Sequence, residues 1–131
     1  MTPFAVGGPY QVQMTFNYPN IYTVYEPAGV AVATIGPSVE FPNGFFGYFT
    51  ADLKLRKMTI MFLESLTYDD WVDFNGPVFT SLTSGANLPQ PAYFISYTPA
   101  NPGTLTSTST TIALNLKGVY VLIGDTIVIG W

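Results

Sequence analysis

The densest set of groups able to do chemistry is the stretch TYDDWVDFNG, which carries Asp69, Asp70, Asp73 and Asn75. Oxygen donors this close together suit a hard cation such as Ca²⁺. The ligand spacing of an EF-hand is absent, and a solvated turn explains the cluster more simply. Paired carboxylates can also hydrolyse glycosides, and Asp70 with Glu64 or Glu40 is such a pair on paper. Nothing in the sequence selects either pair. Trp71, Tyr93, Tyr97 and Tyr22 could stack against sugar rings, although aromatic side chains on strands more often serve a core or an interface. Lys54, Arg56 and Lys57 form the one basic cluster. A solvated strand end or turn accounts for it, since three charges leave a weak footprint for a phosphate or lipid headgroup.

Other chemistry is excluded outright. The chain has no His and no Cys. Ser-His-Asp and Cys-His arrangements, thiolate or imidazole metal sites and disulfides are therefore impossible. No phosphate-cradling glycine motif is present, because Gly7-Gly8 leads into a strand and not a helix. The expectation is a protein without catalytic residues, cofactor or metal.

The elements that must position these groups read as strands. In YQVQMTFNY, Tyr10, Val12, Met14, Phe16 and Tyr18 alternate with polar residues, giving one buried and one wet face. Phe49, Ala51, Leu53 and Leu55 alternate with Thr50, Asp52, Lys54 and Arg56 in the same way. Ile112, Leu114 and Leu116 repeat the pattern late in the chain. Further strands are expected at 21–25, 30–35, 38–41, 58–66, 71–74, 78–82 and 93–97. Pro19-Asn20, Gly36-Pro37, Pro42-Asn43-Gly44, Asn75-Gly76-Pro77 and the 99–103 loop punctuate them, and a Thr/Ser-rich segment follows at 104–110. Residues 53–66 make a poor helix candidate, and no internal repeat is visible. Short strands broken this often indicate one all-β domain over residues 1–131, an antiparallel β-sandwich. About eight to ten strands are expected, most economically a single jelly roll.

The stretch KGVYVLIGDTIVIGW raises a separate question. Gly124-Asp125 suits a hairpin turn, with arms at 119–123 and 126–131. Neither arm alternates, so both faces of such a hairpin would be apolar. An apolar face turned outward marks an interaction site. The expectation is that Val119, Val121, Ile123, Ile127, Ile129 and Trp131 form an assembly interface. The alternatives are cover by the 88–110 segment within the same chain, or contact with a membrane.

Composition favours assembly. Charged residues are 9% of the 131 residues and aromatics 16%, where roughly 25% charge is usual for a soluble domain. Mean hydropathy is positive. The net charge of −4 argues against sequence-specific nucleic-acid binding. No run is long enough to be a transmembrane helix. The start, MTPFAVGGPYQVQ, lacks the basic and apolar regions of a secretory signal. It points to use without that export route, or to a leader already removed.

The alternating QVQMTFNY, the Pro- and Gly-bounded VAVATIGPSVEF, the Thr-rich TLTSTSTTIALNL and the closing GDTIVIGW together resemble small single jelly-roll capsid proteins, such as virion proteins of viruses of hyperthermophilic archaea. The resemblance is one of pattern and transfers no functional residue. The chain departs from that host type in lacking Lys and Glu enrichment. The resemblance implies a virion location and a self-assembling major or minor capsid subunit. Its partners would be copies of itself or other virion proteins; contact with an internal membrane has no support in the sequence. Two other readings stand beside it. One is a carbohydrate-binding β-sandwich module. The other is a fibre or pilus subunit that donates a strand, for which residues 1–10 would serve.

Overall fold

A computed structural model describes residues 11–26, 29–36, 38–54, 56–83, 88 and 90–131. The donor segment 1–10 with Gly7, Gly8 and Tyr10, residue Leu55, and the breakers Pro27, Pro37 and Pro89 lie outside the described residues. In chain order the strands are β1 (Gln11–Asn17), β2 (Val30–Thr34), β3 (Phe41–Asn43), β4 (Phe49–Lys54), β5 (Lys57–Phe62) and β6 (Leu66–Thr67). They continue with β7 (Gly76–Ser81), β8 (Tyr93–Tyr97), β9 (Thr104–Ser107), β10 (Thr111–Asn115), β11 (Tyr120–Val121) and β12 (Thr126–Gly130). One five-stranded sheet, sheet A, runs β2-β1-β7-β10-β9; a second, sheet B, runs β3-β4-β5-β12-β8. β6 and β11 form a small third pair. Every pairing is antiparallel.

The expected sandwich is what the chain forms. The core lies between the two sheets. Val12, Met14, Phe16, Phe79, Ile112 and Leu114 of sheet A meet Phe49, Leu53, Met58, Ile60, Phe62, Ile127 and Ile129 of sheet B. The alternation in β4 works as read: Phe49, Ala51 and Leu53 are fully buried and their neighbours are half-exposed. Hairpins join β1 to β2, β3 to β4, β4 to β5 and β9 to β10, while β7 and β12 insert between strands distant in sequence. This strand order establishes a sandwich; it does not establish the jelly roll.

Three expected strands are not strands of any length. Residues 21–25 make a turn that touches β1 through one bridge, Asn17 with Val24. That turn folds back over β1, so Thr15 and Asn17 are buried although they sit on the face expected to be wet. Their polar groups are satisfied locally. The Thr15 hydroxyl donates to Asn17 Oδ1 at 2.6 Å, and Asn17 Nδ2 donates to the Ile21 carbonyl at 2.7 Å. Residues 71–74 form bends, held because the amides of Asp73 and Phe74 both donate to the Pro19 carbonyl at 3.0 Å. Residues 38–41 give way to the short β3. Conversely, Gly76-Pro77, read as a turn, opens β7. A side chain on Gly76 would collide with the Leu114 carbonyl. Pro77 pairs with Phe16 on one side, and the β10 ladder starts only at Val78, so its missing N–H costs nothing there.

The 119–131 tail is not a hairpin. β11 pairs with β6, and β12 enters sheet B between β5 and β8. A turn over residues 122–125 separates them. The Asp125 amide donates to the Leu122 carbonyl at 3.0 Å, and the Leu122 amide donates to the Asp125 carboxylate at 2.8 Å. The physical reason is the apolar character of both arms. An edge hairpin would leave these residues short of partners, whereas a central strand has ladder partners at both edges and buries Ile127 and Ile129 on its inward face. The cover comes from within the chain, and part of it is β8 from the 88–110 segment. Val119, Val121, Ile127 and Ile129 are fully buried and Trp131 is 1% exposed. The expected assembly interface is therefore core, with only Ile123 left at the surface at 68% exposure.

Paired substitutions test this placement. Ile127→Asp puts an unpaired carboxylate where no water reaches and should cost about 4 kcal/mol or more in urea unfolding. Ile123→Asp should stay within about 0.5 kcal/mol of the parent. Similar losses for both would contradict the burial described.

Candidate functional site

The structure scatters the groups singled out from sequence. The Asp69–Asn75 stretch is a braced loop. Asn115 Oδ1 accepts from the amides of Asn75 and Lys117, both at 3.1 Å, and Asn115 Nδ2 donates to the Asp73 carbonyl at 3.0 Å. Asn75 Nδ2 donates to the Asp69 carbonyl at 3.3 Å. The loop's amides and carbonyls thus serve the fold. Among the described residues no three carboxylates gather closely enough to hold a metal ion. Glu40 is a clamp, accepting from the amides of Gly36 at 3.0 Å and Leu53 at 2.6 Å. Glu64 is exposed between β5 and β6. The basic cluster brackets the β4–β5 hairpin turn, with Lys54 paired to Asp52 at 3.2 Å and Arg56 at φ 54°.

The four aromatics do not share one platform. Tyr22 stands 93% exposed on its turn. Tyr93 and Tyr97 belong to β8, at the edge of sheet B. Trp71 packs edge-on against Tyr18, ring centroids 6.0 Å apart. That contact leads to a site the sequence reading missed.

Beside Trp71 lies a cleft of about 260 Å³. The end of β1 supplies Phe16 and Tyr18, the following turn Tyr25, and the β3–β4 connection Phe45. β6 and the loop after it add Leu66, Thr67, Tyr68, Asp69 and Asn75. Tyr18 and Tyr25 meet edge to face at 5.7 Å. Phe45 stacks on Phe16 at 3.9 Å and also touches Tyr25 and Tyr68. Its backbone is unusual: Phe45 has φ 44° and Phe46 φ 59°, both left-handed. Each such L-residue costs roughly 1–2 kcal/mol. The stacking on Phe16 offsets that cost for Phe45, whereas Phe46 is 58% exposed and recovers less. The sequence signal was present in Gly44-Phe-Phe-Gly47, two rings between glycines, but it reads as a turn until the partners are placed.

Two phenols in this cleft titrate above their usual range. Tyr18 is raised first by loss of water around it, then by its hydrogen bond to Asp69 Oδ2 at 3.2 Å and the carboxylate's charge. Tyr68 is raised mainly by burial, with a smaller push from Tyr48. The Tyr68 hydroxyl finds no hydrogen-bond partner among the described residues.

A second surface lies on sheet B. β8 pairs only with β12, so one of its edges is open among the described strands. Tyr93 and Ile95 lie on the outward face, close over Gly130, which has no side chain to displace them. Tyr97 pairs with Ile127 and therefore belongs to the inward face, yet it is half-exposed because it sits at the rim. The outward face continues to Val128 and to Met61, which is 40% exposed.

Tyr68→Phe should stabilise the protein by about 1–3 kcal/mol, because it removes a buried hydroxyl without a partner. Unfolded, the phenol ionises near 10.0; folded, it keeps its proton to higher pH. The contribution of the protonated Tyr68 is therefore complete below pH 10.0 and is lost as the pH rises above it. The variant should lose that part of the alkaline decline, as read by thermal melts from pH 7 to 11. A destabilised variant with an unchanged alkaline limb would refute the assignment.

No protein family, curated protein or solved structure matches this chain.

Proposed function

We propose that this protein is a structural subunit that assembles with copies of itself, as a shell component of a virion, and performs no catalysis. The observation that carries the proposal is β8. Its sequence YFISY contains no charge, and Tyr93, Ile95 and Tyr97 are each about half-exposed, at 48%, 49% and 50%. An edge strand is ordinarily guarded by charged residues, by proline, or by a bulge. Here the guard is a bulge. The register shifts between Val128 and Ile129, so β8 carries one residue more than its partner. A bulged edge is a poor template for another strand. The apolar side chains on it still favour burial, at roughly 25 cal/mol per Å² removed from water. Packing of faces suits this geometry better than strand addition, which supports a shell over a strand-donating fibre. The shortage of charge over the whole chain supports the same reading.

Light scattering followed by negative-stain imaging tests it. The parent protein should form large regular particles. Ile95→Lys should remain monomeric with an unchanged melting temperature, since Ile95 lies outside the core. A parent that stays monomeric at high concentration, or an Ile95→Lys protein that forms the same particles, would overturn the proposal.

A further inference from the structure

We infer that the aromatic cleft beside Trp71 is a binding site for a small alkylated ammonium group of the choline type. The inference is independent of the assembly reading, because the cleft and the β8 surface share no residue. Three observations carry it. First, the walls are mostly aromatic rings, from Phe16, Tyr18, Tyr25, Phe45 and Tyr68. The faces of such rings attract cations, most strongly where water is reduced. Second, the one charged residue lining the cleft is Asp69, and no Lys or Arg lines it. Asp69 Oδ2 accepts the Tyr18 hydroxyl, and Oδ1 has no donor among the described hydrogen bonds. Asp70, Asp73 and Glu26 are also exposed on the same loop or on the turn bearing Tyr25, so the local charge is negative. Third, the size fits. About 260 Å³ is below the usual range for drug-sized ligands, roughly 300–1,000 Å³, and suits a headgroup.

The same observations favour such a cation over a sugar. A bound sugar needs several donors and acceptors converging on its hydroxyls. Here the Tyr18 hydroxyl already donates to Asp69, and the Asn75 side-chain amide already donates to the Asp69 carbonyl. Beyond these the cleft offers the hydroxyls of Tyr25, Thr67 and the buried Tyr68, the Asp69 carboxylate and the aromatic rings, and the carboxylate with the rings matches a positive charge wrapped in methyl groups. The left-handed Phe45-Phe46 backbone adds a structural reason. It is strain held in place to seat Phe45 in the cleft wall, and strain of this kind concentrates at ligand sites.

The test is a titration of the full chain with choline, followed by NMR of the choline methyl protons and of the tyrosine rings. The neutral isostere 3,3-dimethylbutan-1-ol is the control. Choline should bind with its methyl protons shifted upfield, and the isostere should bind at least about tenfold more weakly, because only the cation gains from the ring faces. Asp69→Asn should weaken choline by about tenfold with no change in melting temperature, while Tyr25→Leu should abolish binding. Should Tyr25→Leu fail to fold, Asp69→Asn and the isostere still decide the matter. Sedimentation with phosphatidylcholine and phosphatidylglycerol vesicles separates the sources. Retention on the first alone identifies a lipid headgroup, and choline binding without retention identifies a free molecule. Equal binding of choline and its isostere, or preferential binding of a neutral sugar such as glucose, would overturn the inference.

Discussion

Sheet B depends on one strand. β12 runs between β5 and β8, and Ile127 and Ile129 project from it into the core with no exposure. Remove it and β8 has no partner, the β3-β4-β5 meander has an open apolar edge, and the core loses two of its central side chains. The Thr98 amide, which donates to the Thr126 carbonyl at 3.0 Å, and the Thr98 hydroxyl, which donates to Asp125 Oδ1 at 2.9 Å, tie the β8 end to this strand. Gly130 matters for the same reason. Its lack of a side chain lets Ile95 and Tyr93 settle over β12. The proposed assembly surface is thus a direct product of how the core strand is made.

With few charges available, the chain uses amides and hydroxyls to fix its loops. Asn115 braces the 69–75 loop, Asn17 holds the turn over β1, and Asn20 Oδ1 accepts from both the Tyr22 amide and the Thr23 hydroxyl. Neutral groups cost less to bury than charges do. They also leave the outer faces without the repulsion that ordinarily keeps copies apart. One compositional choice therefore serves both the interior and the surface.

The strands that alternate could be read directly, because a period of two is a local property. β1, β4 and β10 were placed from Val12, Leu53 and Leu114 and their neighbours alone. The tail could not be placed this way. An apolar run with both faces alike states that it will be buried and not against what, and its partners β5 and β8 lie far away in the chain. The Asn75-Gly76-Pro77 turn failed for a related reason. Gly76 answers to the Leu114 carbonyl, a tertiary neighbour, more than to any turn. The cleft was hidden altogether, since Tyr18, Tyr25, Phe45 and Tyr68 converge only after four separate segments have met. Asp69 and Asn75 stand out in the sequence only as oxygen donors, and Trp71, which packs on Tyr18, only as part of a different platform.

The position of β12 along the chain also bears on how the protein is made. Both of its partners precede it, so sheet B stays in two pieces until residue 130 has left the ribosome. Through that interval β8 has no ladder to join, and the apolar sites awaiting Ile127 and Ile129 stand open. Distant pairings of this kind form slowly, and exposed strand edges are where nascent chains stick to one another. An open apolar edge therefore accompanies the chain until the five residues of β12 arrive and join the two pieces of the sheet.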